Sequence, residues 1–137
     1  MLDPEQVQDF AERYTAAWCS HDAARVAAFY SPEGSLTIND DSPAVGWVEI
    51  VAAAQGFMSA FPDLTVLMDG IEFHGPRVIY HWTLIGTNSG RGGAGKRVHI
   101  SGFEEWRIGA DGLIAESRGH FDREEYKRQL ERGANEK

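Results

Sequence analysis

The sequence has one cysteine, few basic residues for its acidic content, and no long hydrophobic run. The lone Cys19 excludes an internal disulfide and any metal site built from several cysteines. Lysine and arginine number 13 against 21 acidic residues, and the net charge is −8 at pH 7. This balance argues against nucleic acid and anionic membranes as partners, because both select basic surfaces. No apolar run could span a bilayer and no signal peptide precedes the first predicted helix, so we expect a cytoplasmic protein.

The composition itself is ordinary for a globular protein. The chain has 137 residues, of which 42% are hydrophobic and 25% are charged. This length supports one domain with a real core and is too short for two. We therefore predict a single domain over residues 1–137.

Periodicity divides the chain into three helices, a series of strands and a last helix. Apolar residues recur at helical spacing in the first part of the chain and alternate in the second part. The predicted helices cover about 4–18, 22–30, 47–61 and 123–130, and the predicted strands cover about 35–38, 64–73, 78–87, 96–108 and 113–121. Helices followed by antiparallel strands predict an α+β fold, with the helices packed on one face of a curved, mainly antiparallel sheet that encloses a pocket.

The stretch 96–122 carries the most informative residue. Successive side chains of a strand point to opposite faces, so Val98, Ile100 and Trp106 share one face with Glu104. A carboxylate on an otherwise apolar face is costly unless it is paired or neutralised. Glu104 is therefore the first candidate for a catalytic group, and the alternative is a buried structural acid satisfied by tyrosine or tryptophan.

The apolar stripes of the helices and the apolar faces of the strands must meet around a pocket. Tyr14 lies in the middle of the first helical stripe, so its hydroxyl is carried inward and needs a partner. The pocket is predicted to be rich in aromatic residues, which suits a small apolar or aromatic ligand. The predicted ligand-binding residues are Trp18, Trp47, Phe57, Tyr80, Trp82, Trp106 and Phe121.

The order and spacing of several short motifs resemble those of a known superfamily. These motifs are WCSHD at 18–22, FY at 29–30, FPDL at 61–64, GTNSG at 86–90 and DGLIAE at 111–116. Together they span about residues 7–126 and resemble the SnoaL-like branch of the nuclear-transport-factor-2-like superfamily, which includes polyketide cyclases. The resemblance implies a cone-shaped α+β fold. It does not define a reaction, because this fold hosts isomerases, cyclases, epoxide hydrolases and non-catalytic binders.

The resemblance extends to some catalytic positions and fails at another. Ketosteroid isomerases of this superfamily have a tyrosine in the first helix, a second acid on the penultimate strand and a general-base aspartate after the first strand. Tyr14 and Glu104 match the first two positions, and Asp40 is nearest to the third but fits only with an insertion. The polyketide cyclases have an acid/base aspartate on the last strand, where this chain has Gly119.

Two functions of different classes follow from these residues. The first is an isomerase- or cyclase-type enzyme that transfers protons on a small apolar carbonyl compound, with Tyr14 and Glu104 stabilising an enolate and Asp40 as base. The second is a non-catalytic ligand-binding or dimerising domain, which Gly119 favours. Asp40 is also interpretable as a turn residue of 39–43. An epoxide-hydrolase reaction would need an arginine and two aspartates in the pocket, and no such set is evident.

The opposite face of the predicted sheet is mixed in character. It carries His81, His99 and His120, whose spacing is not a known metal-ligand motif, so we expect neither a metal nor a cofactor. The same face carries apolar residues such as Ile85 and Phe103. Exposed apolar residues of this kind are usually covered, and relatives often pair through this face. A homodimer through the outer sheet face is therefore the expected assembly.

Overall fold

The structure, a computed structural model, describes residues 3–90 and 92–134. It has the α+β order that the periodicity predicts, and the predicted fold class is confirmed. The predicted domain, 1–137, extends past the described residues, and its extent stays a prediction. The elements are α1 (Pro4–Cys19), α2 (Ala23–Ala27), β1 (Tyr30–Ile38), β2 (Ala44–Val45), α3 (Gly46–Ala60), β3 (Thr65–His74), β4 (Arg77–Thr87), β5 (Arg97–Ile108), β6 (Ile114–Phe121) and α4 (Arg123–Arg132).

The strands form one mixed, open sheet in the order β2-β1-β6-β5-β4-β3. The pairs β3–β4, β4–β5, β5–β6 and β1–β2 are antiparallel. Strands β1 and β6 are parallel. A parallel pair needs a crossover connection, and here α3 and strands β3 to β5 lie between the two strands in sequence. Strand β5 is interior, so both of its edges are hydrogen-bonded.

Side-chain caps define where the first and last helices begin. The Asp3 side chain accepts a hydrogen bond from the Gln6 backbone N–H at 2.8 Å, and the Gln6 side-chain oxygen accepts one from the Asp3 backbone N–H. The Asp122 side chain accepts a bond from the Glu125 amide at 3.1 Å. Each cap satisfies an amide that has no partner inside its helix. The two helices begin at the positions predicted from the sequence, 4 and 123.

The region between α2 and β1 differs from the prediction. The periodicity predicts a second helix that extends to residue 30 and a first strand that begins at residue 35. Instead the helix ends at Ala27, and β1 begins at Tyr30, which pairs with Ile114 of β6. The pairing shifts register between Tyr30 and Ser35, so Pro32 and Gly34 are held inside an irregular strand. A Cβ atom at Gly34 would lie 2.7 Å from the Ile114 carbonyl oxygen, which explains the glycine.

The helices cover one face of the sheet and bury an aromatic cluster against it. The rings of Tyr80 and Trp106 stack with centroids 4.8 Å apart, and the Tyr14 ring meets both of them edge-on. Tyr14, Tyr80 and Trp106 are each at most 1% exposed. This cluster fixes the position of α1 over the middle strands of the sheet.

Candidate functional site

Strand alternation places Glu104 on the helix-facing side of β5. Its neighbours of the same parity, Val98, Ile100 and Trp106, are at most 6% exposed, and Glu104 itself is 8% exposed. Across the sheet Glu104 pairs with Tyr80 on β4 and with Gly119 on β6. The carboxyl is therefore surrounded by apolar and aromatic side chains.

Three hydrogen-bond donors converge on one oxygen of this carboxyl. Glu104 Oε1 accepts from the Tyr14 hydroxyl at 3.0 Å, from Trp106 Nε1 at 2.9 Å and from the Ser117 hydroxyl at 2.9 Å. The second oxygen, Oε2, accepts no hydrogen bond from any residue that the structure describes. Since Glu104 also lines a cavity, this arrangement leaves Oε2 as the oxygen available to a ligand.

Burial dominates the electrostatics of Glu104. Removal from water raises the pKa of Glu104 above its ordinary value, and the hydrogen bonds from Trp106, Ser117 and Tyr14 only partly oppose this change. Because three donors occupy Oε1, the proton of the neutral acid resides on Oε2. The group is thus a donor to the cavity when neutral and an acceptor when ionised.

Tyr14 lies behind Glu104 and not in the cavity. Its hydroxyl is within 2.9 Å of the Tyr30 hydroxyl, and both tyrosines are completely buried. Burial raises the pKa of each tyrosine well above its ordinary value, and the nearby Glu104 carboxyl acts in the same direction. Both phenols therefore stay neutral, and Tyr14 serves as a fixed donor that orients Glu104.

The cavity in front of Glu104 is small and mostly apolar. It has a volume of about 60 Å³, several times the ~10–15 Å³ that one water molecule needs. Among the lining residues that the structure describes, Glu104 is the only acid or base apart from two tyrosines. The lining residues are Trp18, Leu36, Ile38, Phe57, Val66, Tyr80, Trp82, Leu84, Ile100, Glu104, Gly119, Phe121 and Tyr126.

Five of the seven predicted ligand-binding residues line this cavity, and two do not. The five are Trp18, Phe57, Tyr80, Trp82 and Phe121. Trp106 is fully buried behind the cavity, where it stacks on Tyr80. Trp47 is 46% exposed, and its Nε1 donates to the Tyr30 carbonyl oxygen at 2.8 Å. Helical spacing identifies the face of a helix but not which part of that face reaches the cavity.

Asp40 also lies away from Glu104. It is an exposed residue of the turn after β1, and it lines a groove on the outer side of the sheet together with Arg118 and His120. Asn39, which precedes it, has a left-handed backbone conformation with φ of 51°. The Asn39 amide donates to the Gly119 carbonyl oxygen, which fixes the turn against β6. The structure therefore does not bring the three predicted catalytic residues together: it joins Tyr14 to Glu104 and leaves Asp40 outside.

Two polar residues of the site escaped the sequence reasoning. Ser117 shares the face of Gly119, but its bond to Glu104 depends on the register between β5 and β6, which pairs Ser117 with Trp106. Tyr126 reaches the cavity from α4 and packs edge-on against Phe121, with ring centroids 5.2 Å apart. The only sequence signal for Tyr126 was its position one helical turn after Asp122, the residue that caps α4.

One of the residues that line the cavity carries an unsatisfied donor. Trp82 Nε1 is buried and has no hydrogen-bond partner among the described residues. The indole leans over Gly102, where a Cβ atom would lie 2.7 Å from Trp82 Cζ2. Gly102 is therefore required for the Trp82 ring to occupy its place beside Phe121.

The outer face of the sheet has the opposite character. Arg77 lies 3.4 Å from Glu105 and 3.6 Å from Glu116, and Arg118 lies 3.2 Å from Glu116. The ring of His120 stacks on Phe103 with centroids 5.0 Å apart. In residues 3–90 and 92–134, no group of three or more potential metal ligands is close enough to hold an ion.

The α+β fold is the one that the resemblance to the nuclear-transport-factor-2-like superfamily implies, and here it holds a buried carboxyl in an aromatic cavity. The sequence pattern of the SnoaL-like polyketide cyclase family matches residues 8–130. The chain therefore belongs to the SnoaL-like polyketide cyclase family. No curated protein sequence matches it.

Solved structures support the same fold. A protein described as a SnoaL-like polyketide cyclase from Jannaschia sp. CCS1 superposes with a TM-score of 0.80 at 17% identity, over 95% of this chain and 96% of the other. TsrD from Streptomyces laurentii gives a TM-score of 0.80 at 24% identity, over 95% and 98%. A protein with a ketosteroid isomerase-like fold from Catenulispora acidiphila DSM 44928, solved in complex with trimethylamine, gives 0.78 at 12% identity, over 95% of each chain.

The helices of the described part of the chain are all too short or too polar to cross a lipid bilayer.

Proposed function

We propose that this SnoaL-like protein catalyses proton transfer on a small, mostly apolar carbonyl compound, with Glu104 as the acid/base. The observation that carries the proposal is the asymmetry of the carboxyl: three donors hold Oε1, and Oε2 is left to the cavity. A general base must come within hydrogen-bond reach of the proton that it removes. A carboxyl clamped in this way presents one oxygen in one direction to whatever occupies the cavity.

The proposed reaction moves one proton and needs no other reactant. The ionised Oε2 takes a proton from the carbon next to the carbonyl, and the electron pair of that C–H bond moves into an enolate. Glu104 is then neutral, and it returns the proton to the same carbon or to the far carbon of an enone. The second outcome is an isomerisation in which substrate and product have the same composition.

The environment of Glu104 suits this role. Burial raises its pKa, which makes the carboxylate a stronger base than a solvated glutamate. The hydrogen bonds from the buried donors Tyr14, Trp106 and Ser117 favour the ionised form and so limit this rise in pKa. In this proposal Tyr14 positions Glu104 and does not touch the substrate.

The developing enolate oxygen requires a donor of its own. Trp82 Nε1 is buried without a partner, and Tyr126 also lines the cavity. An unsatisfied buried N–H costs ~1–3 kcal/mol, and a substrate oxygen that reached it would remove this cost. Both residues are thus candidates to stabilise the oxyanion.

The test is isomerisation of a β,γ-unsaturated cyclohexenone to its conjugated isomer, followed by the ultraviolet absorbance of the product. We expect Glu104→Gln to lose about a hundredfold or more of the rate, the usual contribution of a positioned acid/base. The matched control is Glu105→Gln, which removes the same charge one residue away on the opposite face and should retain full activity. Full turnover by Glu104→Gln would eliminate the proposed role.

Tyr14→Phe tests the positioning role. The substitution removes one of the hydrogen bonds that oppose the rise in the pKa of Glu104. We expect the rate to fall and the basic group in the pH–rate profile to titrate at a higher pH than in the wild type. A purely structural Tyr14 would lower the rate without moving the profile.

A non-catalytic binding protein is the second candidate. Gly119 supports it, because this chain has no side chain where the resembled cyclases have their aspartate. The neighbour that holds trimethylamine shows a small molecule bound to a protein of similar fold. Equal and negligible enone turnover by the wild type and Glu104→Gln, with ligand binding retained, would favour this candidate.

We also propose that the protein pairs with a second copy through the outer face of its sheet. Leu67 and Phe103 are 46% and 36% exposed on that face, beside the ion pairs of Arg77 and Glu116. Burial of these side chains would stabilise a dimer. Sedimentation equilibrium of the wild type and of Phe103→Glu tests the proposal, and a wild-type monomer at all concentrations would contradict it.

A further inference from the structure

The cavity combines features that are typical of a binding site for an organic cation. One carboxyl, Glu104, is buried among six aromatic side chains, which belong to Trp18, Phe57, Tyr80, Trp82, Phe121 and Tyr126. None of the cavity residues that the structure describes is a lysine, arginine or histidine. An ionised buried carboxylate without a counter-ion is costly. The missing positive charge must therefore come from a ligand if Glu104 is to ionise fully.

The aromatic residues favour a cation with alkyl groups. The π face of an aromatic ring attracts a cation, and the attraction grows when the cation is removed from water. The apolar lining, which includes Leu36, Val66 and Ile100, suits methyl or methylene groups better than a hydrated ammonium. The volume of about 60 Å³ restricts the ligand to a small molecule.

The number of free hydrogen-bond acceptors in the cavity restricts the class of cation further. Oε1 of Glu104 already accepts three hydrogen bonds, so Oε2 is the acceptor that this carboxyl offers to a ligand. The Tyr80 hydroxyl is engaged with Thr15. A tertiary ammonium carries one N–H donor, which Oε2 can satisfy alone, whereas a primary ammonium carries three and needs more acceptors than the mostly apolar lining offers.

We propose that this cavity binds a small tertiary alkylammonium ion, with the Glu104 carboxylate as its counter-ion and hydrogen-bond acceptor. This ligand differs in chemical class from the carbonyl substrate of the proposed reaction. It binds the ionised form of Glu104. The neutral form of Glu104 can donate a hydrogen bond to a carbonyl oxygen, whereas an ammonium needs the ionised form. Ammonium binding therefore requires the same ionised carboxylate that begins the proposed proton transfer.

The proposal fixes how binding depends on pH. The titratable side chains around Glu104 and its cavity are Tyr14, Tyr30, Tyr80 and Tyr126, and burial raises the pKa of each above its ordinary value. They stay neutral through the neutral range, so Glu104 is the group that titrates. Affinity for the ammonium should fall about tenfold per pH unit below the pKa of Glu104 in the free protein.

The experiment titrates the full-length protein with four ring compounds and follows the indole N–H resonances by nitrogen-15 NMR. The probes are N-methylpyrrolidinium with one N–H donor, pyrrolidinium with two, N,N-dimethylpyrrolidinium with none, and neutral methylcyclopentanol. Trp18 and Trp82 line the cavity and should shift, whereas Trp47 lies outside it and serves as the internal control. We expect N-methylpyrrolidinium to bind at least tenfold more tightly than each of the other three.

Variants separate charge recognition from general apolar binding. Glu104→Gln should weaken N-methylpyrrolidinium tenfold or more and leave methylcyclopentanol unchanged, while Glu105→Gln should change neither. Should Glu104→Gln fail to fold, the carbon-13 titration of Glu104 in the wild type decides, because saturating ligand should lower its pKa by one unit or more. Binding of the alcohol as tightly as the ammonium, or no binding by any probe, would overturn the proposal. Neither result depends on whether enone turnover is observed.

Discussion

Glu104 and Glu105 are adjacent glutamates of β5 with opposite surroundings. Glu104 points toward the helices and is 8% exposed, with its Oε1 held by three neutral donors. The Glu105 side chain points outward, is 31% exposed and lies 3.4 Å from the guanidinium of Arg77. One residue of strand alternation therefore places the same functional group either in an aromatic cavity or on a salt-bridged surface.

At these two positions the hydrogen-bonding or ion-pair partner, and not the residue type, decides what role the carboxyl has. Charged partners favour the ionised form, and neutral donors in a dry site tolerate both forms. Glu105 is therefore suited to a structural ion pair, whereas Glu104 is suited to gaining and losing a proton. The effects of substitutions at the two positions on stability should therefore differ in size.

The largest expected effect is that of Glu104→Ala on stability. The substitution leaves the Tyr14, Trp106 and Ser117 donors buried without their shared acceptor and opens space beside the cavity. We expect the free energy of unfolding to fall by about 3 kcal/mol or more. Urea denaturation followed by tryptophan fluorescence measures the change. A loss below ~1 kcal/mol would mean that water replaces the carboxyl as acceptor.

The second expected effect is a difference in pH dependence between the wild type and Glu104→Gln. Burial raises the pKa of Glu104 in the folded state above the unfolded value of 4.5. Its contribution to stability is therefore fully present below the unfolded pKa and is lost as the pH rises through the folded pKa. The loss amounts to about 1.4 kcal/mol per unit of pKa difference.

The difference between the free energies of unfolding of the wild type and Glu104→Gln at each pH isolates the titration of Glu104. Carboxyls whose pKa is lowered, such as Glu125 with a pKa of about 2 beside Arg128 and Gln129, act in both proteins and cancel. Urea denaturation at a series of pH values gives the two curves. Parallel curves between pH 4 and the neutral range would contradict the expected pKa direction of Glu104.

Local patterns predicted the elements of this site well. The alternation of β5 predicts the inward side chain of Glu104, and the helical stripe of α1 predicts that the Tyr14 hydroxyl lies inside. Both predictions depend only on the spacing of apolar residues, which is visible within a single segment of the chain. The capped starts of α1 and α4 are predictable for the same reason, because a cap involves residues only three positions apart.

Contacts between distant segments were less predictable. Ser117 reaches Glu104 through the β5–β6 register, and Tyr126 reaches the cavity through the packing of α4. Asp40 was placed near the pocket by resemblance, but the left-handed Asn39 turns the loop onto the outer side of the sheet. Turn geometry and register are set by tertiary packing, which a period does not encode.

Gly119→Asp adds a second carboxyl beside Glu104 on the inner face of the sheet. Gly119 pairs directly with Glu104, and a Cβ atom there would lie 3.7 Å from Glu104 Cγ and 3.6 Å from the Thr37 carbonyl oxygen, so a side chain can start without a clash. Two adjacent carboxylates resist joint ionisation, so the upper pKa of the pair should rise by on the order of one unit. Carbon-13 NMR titration measures it. Gly119→Asn is the uncharged control, and an equal shift in both variants would exclude a charge effect.

The smallest expected effect is that of Glu105→Gln, on the other face of the same strand. The change weakens one contact to Arg77, which keeps Glu116 as a second partner at 3.6 Å. Partly exposed ion pairs contribute little, so the free energy of unfolding should fall by less than ~0.5 kcal/mol, and less again at high salt. Urea denaturation at low and high ionic strength tests this expectation. A loss as large as that of Glu104→Ala would mean that the outer face is as closed to solvent as the cavity, and the contrast between the two glutamates would then lie in their partners alone.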